Sequence, residues 1–222
     1  FDKAKPYLAL QRNAERTFVA QAGLLGEGMP NHRTVYEVLP GPRELAPGED
    51  KLEVRLAATG ANGDKVVQTL TFHRGSYLID ATFDVANAGS APVAPYAYFQ
   101  LTRDTKQAVP QNSMAPAAYV GPVVYNATDH FKKVEPSEID KLAADPTRKV
   151  PYAKSTTDGW VGMIEHYFVS AWLPSDEKKL AREFYTRKLD GGLYAAGVIV
   201  PMGAAAPGAS TRVTVPLFVG PQ

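Results

Sequence analysis

Apolar and polar residues alternate most clearly between residues 51 and 86. Leu52, Val54 and Leu56 alternate with Glu53 and Arg55, the period-two pattern of a strand with one buried face. Gly60-Ala61-Asn62-Gly63-Asp64 turns the chain, and Val66, Leu70 and Phe72 then share one face of a second strand. The pair reads as an antiparallel hairpin. After Arg74-Gly75 a third strand places Tyr77, Ile79, Ala81, Phe83 and Val85 opposite Asp80, Thr82 and Asp84, and Asn87-Ala88-Gly89-Ser90 ends it. The same reading predicts strands at residues 17–21, 35–39, 96–103, 119–125, 183–189, 193–200 and 211–219. Pro216 lacks an amide donor, which places the last of these at a sheet edge or a bulge.

Helix is scarce. Residues 137–145 are the best candidate, with Ser137 as cap, Glu138 and Asp140 in the first turn, and Pro136 and Pro146 as brackets. Residues 176–182 are a weaker second. The rest of 134–157 is polar and proline-punctuated and reads as a surface excursion. Ala204-Ala205-Ala206-Pro207-Gly208-Ala209 reads as a small-residue turn.

Residues 159–174, Gly-Trp-Val-Gly-Met-Ile-Glu-His-Tyr-Phe-Val-Ser-Ala-Trp-Leu-Pro, hold both tryptophans. Trp160, Ile164, Phe168 and Trp172 are four apart, which suits a helical stripe, but they also share parity and so suit one face of a strand. The β-branched and aromatic content favours a strand, with a bend or bulge near Glu165-His166. Trp160, Phe168 and Trp172 are expected to fill the core between two sheets. Tyr96, Tyr98 and Tyr119, near proline-rich loops, fit core packing and a sugar- or peptide-binding platform about equally well.

The 222 residues are 45% hydrophobic and 21% charged, with 18 glycines, 18 prolines and no cysteine. Glycine and proline spread along the chain fit many strands joined by turns, and the absence of cysteine excludes disulfides and thiolate metal sites. A net charge of +1 supplies no field for nucleic acid or an anionic membrane. Lys132-Lys133 and Lys178-Lys179 are too few to track a phosphate backbone. No apolar run reaches the length of a membrane span. The start at Phe1 suggests a fragment of a longer chain.

Candidate chemistry is sparse. His32, His73, His130 and His166 show no metal-ligand spacing. Glu165-His166 and Asp129-His130 are the acid–base neighbours, but adjacent strand residues point to opposite faces. The expectation for Glu165-His166 is one residue facing solvent and the other hydrogen-bonded. No serine sits in a nucleophile elbow, and Gly191-Gly192 and Gly203 belong to turns rather than phosphate loops. Asn126-Ala127-Thr128 matches a glycosylation acceptor.

An ordered set of short motifs resembles the large periplasmic domain of the YidC membrane protein insertases of Gram-negative bacteria. The set runs from Thr17-Phe18-Val19-Ala20-Gln21-Ala22-Gly23-Leu24 through Arg74-Gly75-Ser76-Tyr77 and Val85-Ala86-Asn87-Ala88-Gly89. Its most distinctive line is Gly159-Trp160-Val161, Tyr167-Phe168 and Ala171-Trp172-Leu173-Pro174, followed by Phe184-Tyr185-Thr186, Pro207-Gly208 and Phe218-Val219-Gly220-Pro221. The resemblance implies one all-β domain over residues 1–222, a β-supersandwich of two curved, mostly antiparallel sheets like galactose mutarotase, with one or two short helices. It implies a parent protein in the inner membrane that inserts and folds membrane proteins, alone or with the Sec translocon, and a periplasmic location for this domain. The family's insertion chemistry is not enzymatic and lies in a transmembrane bundle, none of whose residues can be carried onto this chain. The family's first strands precede the residues that match Phe1, so an exposed sheet edge is expected.

The resemblance therefore implies no catalytic residue, cofactor or metal. Gly159, Trp160, Tyr167, Phe168, Ala171, Trp172, Pro174, Phe184, Tyr185, Gly220 and Pro221 are structural family residues. The implied partners are Sec components and nascent membrane-protein clients, with an incidental ligand in a cleft as a further option. Two alternatives stand beside this reading: a chaperone-like cleft for client polypeptide, and a carbohydrate-binding or mutarotase-like enzyme.

Overall fold

The computed structural model describes residues 8–106, 119–177 and 179–222. In chain order its strands are β1 (Gln11–Arg12), β2 (Thr17–Leu25), β3 (Glu37–Val38), β4 (Lys51–Thr59), β5 (Lys65–His73), β6 (Leu78–Ala86), β7 (Tyr96–Arg103) and β8 (Val120–Asn126). Then come β9 (His130–Lys133), helix α1 (Pro136–Ala144), β10 (Ser155–Thr156), β11 (Trp160–Glu165), β12 (Phe168–Trp172), β13 (Arg182–Leu189), β14 (Leu193–Pro201) and β15 (Ser210–Pro221). They form two antiparallel sheets. One has the order β1-β2-β7-β14-β13-β10 and the other β3-β4-β5-β6-β15-β12-β11-β8-β9. With one short helix, this is the all-β sandwich that the sequence predicts. The outermost strands β1, β3 and β10 are two residues long and β9 is four, so each sheet ends on a strand too short to template another chain.

The core lies between the sheets. Phe18, Phe99 and Phe184 come from the six-stranded sheet, and Phe83, Met163 and Trp172 from the nine-stranded one; all six are at most 3% exposed. The Phe99 ring lies 5.0 Å from Trp172 and 6.0 Å from Phe83. Each such burial contributes about 1.5–3 kcal/mol, so the apolar layer dominates the stability of the fold.

Residues 159–174 fold differently from expectation. They form a tight hairpin, with Glu165 paired to Phe168 and His166-Tyr167 as the turn. His166 adopts a positive φ of 42°. Because paired residues share a face, the turn reverses the parity. Trp172 enters the core, Phe168 is half-buried, and Trp160 lies on the opposite face, stacked on Tyr125 with centroids 5.8 Å apart. The core assignment thus fails for Trp160, and Phe168 sits at the sandwich margin.

Four further expectations are corrected. Pro216 lies in β15, between β6 and β12, with unbroken register to β6. Its carbonyl accepts a bond from the Leu173 amide (2.9 Å) just beyond the end of β12, so the missing donor falls where that ladder stops. Residues 176–182 form no helix: Lys179 has φ 45° and Arg182 opens β13; Lys178 lies outside the described residues. Helix α1 starts at Pro136 with Glu135 as its N-cap, leaving Ser137 inside. Proline at the first helical position loses no bond there. The excursion around α1 is also not wholly superficial, since Val134, Ile139 and Tyr152 join the core.

Three buried arginines organise the margins. Glu165, last in β11, accepts bonds from Arg103, last in β7 (2.7 Å), and from Arg16, just before β2. All three side chains are at most 6% exposed, and the bonds join one sheet to the other. Both guanidiniums also approach the Phe18 ring, at 5.7 and 5.5 Å. Arg182 donates to the carbonyls of Gly159 (2.9 Å), Pro174 (2.9 Å), Thr157 (3.2 Å) and Ser175 (2.8 Å). It thereby ties the two ends of the 159–174 hairpin together.

Removing the Glu165 charge takes away the carboxylate that buried Arg16 and Arg103 share. Glu165→Gln should lower the unfolding free energy by about 3–5 kcal/mol, read from the urea midpoint. Arg212→Gln breaks an exposed pair with Asp84 and should leave the midpoint within error. Equal effects from the two substitutions would contradict the bridging role.

Candidate functional site

Alternation along the six-stranded sheet decides which side chains leave the core. Phe99 and Phe184 face the other sheet, so Tyr98, Gln100, Tyr185 and Arg187 face away from it. The segment between β2 and β3 folds over this outer face and brings Asn31, His32 and Arg33 to it. The result is a groove of about 390 Å³, with Leu25, Leu189 and Ile199 as its apolar rim.

Two glycines make the floor. A Cβ at Gly23 would stand 2.6 Å from the Tyr98 hydroxyl and 2.7 Å from the Asn31 backbone, and a Cβ at Gly197 would enter the Tyr185 ring. Both tyrosines therefore lie flat on the sheet, 7% and 9% exposed. Their hydroxyls are bonded. Tyr185 donates to Gln100 Oε1 (2.8 Å), and Gln100 Nε2 donates to Gln21 Oε1 (2.8 Å), which also accepts from Thr102 (2.9 Å). The His32 amide donates to the Tyr98 oxygen (3.1 Å), and the His32 ring Nδ1 is bonded to the same oxygen. The Arg187 guanidinium lies 4.2 Å from the Tyr185 ring centroid, a cation–π contact that holds it over the groove.

The electrostatics follow from this packing. Burial pushes the Tyr185 phenol well above its ordinary value, and Arg187 opposes the shift. Burial also raises Tyr98, opposed by the His32 amide and by the charges of Arg33 and Arg187. His32 is lowered from 6.5, first by burial and then by Arg33. Among the described residues lining the groove there is one histidine and no carboxylate.

The predicted acid–base neighbours do not meet in a cleft. Glu165 is buried in its arginine pair while His166 is exposed in the hairpin turn. Asp129 accepts from Asn126 (3.2 Å) and from the Ala153 amide, which lowers its pKa, so it braces a loop rather than serving His130. Asn126 is fully buried and its side chain caps Thr128 and Asp129 (3.0 and 2.7 Å), which leaves no room for a glycan. No group of three or more potential metal ligands occurs among the described residues.

The residues that carried the family resemblance in the sequence scatter rather than form one site. Gly159 and Pro174 meet through Arg182, Phe168 pairs with Pro221 and Val169 with Gly220, Ala171 packs opposite Gly162, and Tyr167 is 66% exposed. Phe184 is core, and Tyr185 alone of the set reaches the groove. Of the tyrosines left open by the sequence, Tyr96 is exposed and Tyr98 forms the floor. Tyr119 braces β8 by bonding the Pro122 and Val134 carbonyls (2.5 and 3.1 Å). Sequence reasoning missed the groove, although Gly23 and Gly197 inside strands signal a close approach by another group.

The neutral form of His32 is favoured in the fold, while the unfolded chain takes up a proton near pH 6.5. Its contribution is therefore present above 6.5 and is lost as pH falls from 6.5 through the lowered folded value. An NMR titration should place the His32 midpoint below 6.5, and Arg33→Gln should raise it. A midpoint at or above 6.5 would contradict the described surroundings.

Comparison with known proteins follows the same lines. The family model for the YidC periplasmic domain matches residues 1–222. The membrane protein insertase YidC of Nitrosospira multiformis is 45% identical over 221 residues, covering 100% of this chain and 37% of that protein. That of Aromatoleum aromaticum is 40% identical over 221 residues, covering 100% and 39%. The chain thus spans less than two-fifths of these relatives. Among solved structures, a putative aldose 1-epimerase from Escherichia coli superposes with TM-score 0.49 at 11% identity, covering 88% of this chain and 73% of that one. A galactose mutarotase related enzyme from Lactobacillus acidophilus gives TM-score 0.48 at 8% identity, covering 85% and 72%. The match over the whole length, with relatives 40–45% identical, shows that this chain belongs to the YidC periplasmic domain family.

Proposed function

We propose that this chain is the non-catalytic periplasmic part of an inner-membrane insertase, and that it offers a binding surface to the proteins its parent handles. The family match over the whole chain is the observation that carries this reading. Insertion itself belongs to the membrane-embedded remainder of the parent. No helix among the described residues is long and apolar enough to cross a membrane. The domain contributes recognition: contact with Sec components, with clients, or with both, on the periplasmic face of the inner membrane.

The groove favours a more specific form of this reading, in which it receives an extended segment of client polypeptide. Its apolar rim of Leu25, Leu189 and Ile199 suits the side chains of a passing strand. A mutarotase-like reaction needs a histidine and a carboxylate converging on the substrate; the groove supplies His32 without such a partner, and distant likeness of fold is no warrant for chemistry.

The test is a parent protein with and without residues 1–222, expressed in cells depleted of the native insertase and solubilised for co-purification. Recovery of Sec components should fall at least about tenfold without the domain, a loss of roughly 1.4 kcal/mol of binding. Unchanged recovery together with unchanged client recovery would overturn the recognition role.

A further inference from the structure

The charged groups around the groove are one-sided. Arg187 is held over the Tyr185 ring, and Arg33 stands next to His32 on the opposing loop. Both guanidiniums are exposed, and neither has a hydrogen-bond or ion-pair partner among the described residues. Their charges converge on Tyr98, whose phenol feels both. Two other surface arginines are occupied: Arg74 bonds the Glu49 and Ala46 carbonyls (2.9 Å each) and Arg212 pairs with Asp84 (2.5 Å). No aspartate or glutamate is among the described residues lining the groove. Two unneutralised guanidiniums at the mouth of a groove make a receptor for carboxylates, which they bind in a forked geometry.

The polar groups of the floor narrow the choice of ligand. Tyr98, Tyr185 and Gln100 already spend their hydrogen bonds on His32, on each other and on Gln21. Little remains to read the many hydroxyls of a sugar. What is free is apolar rim (Leu25, Leu189 and Ile199) and positive charge. That combination matches a chain in which apolar and acidic side chains are mixed.

We propose that the groove selects carboxylate-bearing segments of extended polypeptide, with Arg33 and Arg187 as the residues that set this preference. The inference rests on the polypeptide-groove reading above and adds the charge of the segment to it. Arg187 takes its position from Tyr185, and Tyr185 from the space left by Gly197. The preference is therefore built into the sheet rather than into a mobile side chain alone.

The experiment uses the 222-residue chain and two short fluorescent peptides. One alternates leucine and glutamate; the other has glutamine in place of glutamate. Anisotropy titrations at physiological salt should show the acidic peptide binding at least about tenfold more tightly, the scale of one charged hydrogen bond. In the Arg33→Gln, Arg187→Gln double variant the two peptides should bind equally, at the affinity the wild type shows for the glutamine peptide. Arg55→Gln, on the other sheet, should keep the preference. Equal binding of both peptides by the wild type would overturn the charge preference and leave the polypeptide groove standing. A preference that survives in the double variant would overturn the assignment to these residues. Failure of both peptides to bind saturably would overturn the polypeptide reading with it.

Discussion

Glu165, held between Arg16 and Arg103, is the interaction on which the arrangement of the sheets depends. The apolar core supplies most of the stability, but apolar packing is tolerant of sliding. A carboxylate shared by two buried guanidiniums is not tolerant, because each charge is costly once unpaired. The bond joins the ends of β7 and β11, one in each sheet, and so fixes how the sheets face one another at that margin. Arg182 does the same work for the hairpin between Gly159 and Pro174, drawing its two ends onto one guanidinium.

These buried charges are distinct from those at the groove. Arg16, Arg103 and Arg182 point into the protein, are almost fully covered and bind carboxylate or carbonyl oxygens of the fold. Arg33 and Arg187 stand on the outer side of the six-stranded sheet and are left to solvent. One β7 strand carries both systems: Phe99 and Arg103 on its inner side, Tyr98 and Gln100 on its outer side. The sandwich therefore separates what holds the sheets together from what the surface offers to another molecule.

Much of the fold was legible because its strands bury one face. The alternation in β4, β5 and β6 predicted those strands and the pairing of β4 with β5, and β7 was placed to the residue. The 159–174 hairpin was not legible, since its turn is His166-Tyr167 rather than a glycine or asparagine pair and the parity reverses without a marker. Pro216 misled because the sequence does not say where β12 stops. Glu165 did stand out, as a charge inside an apolar run, but its partners lie 62 and 149 residues away. The groove gathers residues from β2, β7, β13, β14 and the segment after β2; no local pattern links them, and only the two strand glycines hint at the tyrosines above them.

The tryptophan hairpin thus helps hold the sandwich together, while the groove proposed for recognition is assembled elsewhere, on the six-stranded sheet. The most direct test of that division is photo-crosslinking in cells expressing the parent protein. A photoreactive residue is placed at Leu189 or Ile199 on the groove rim, and in parallel at Thr82 on the nine-stranded sheet. The account predicts crosslinks to newly made membrane proteins from the two rim positions and none from Thr82. Crosslinks of equal yield from Thr82, or none from the rim while the parent remains active, would contradict it.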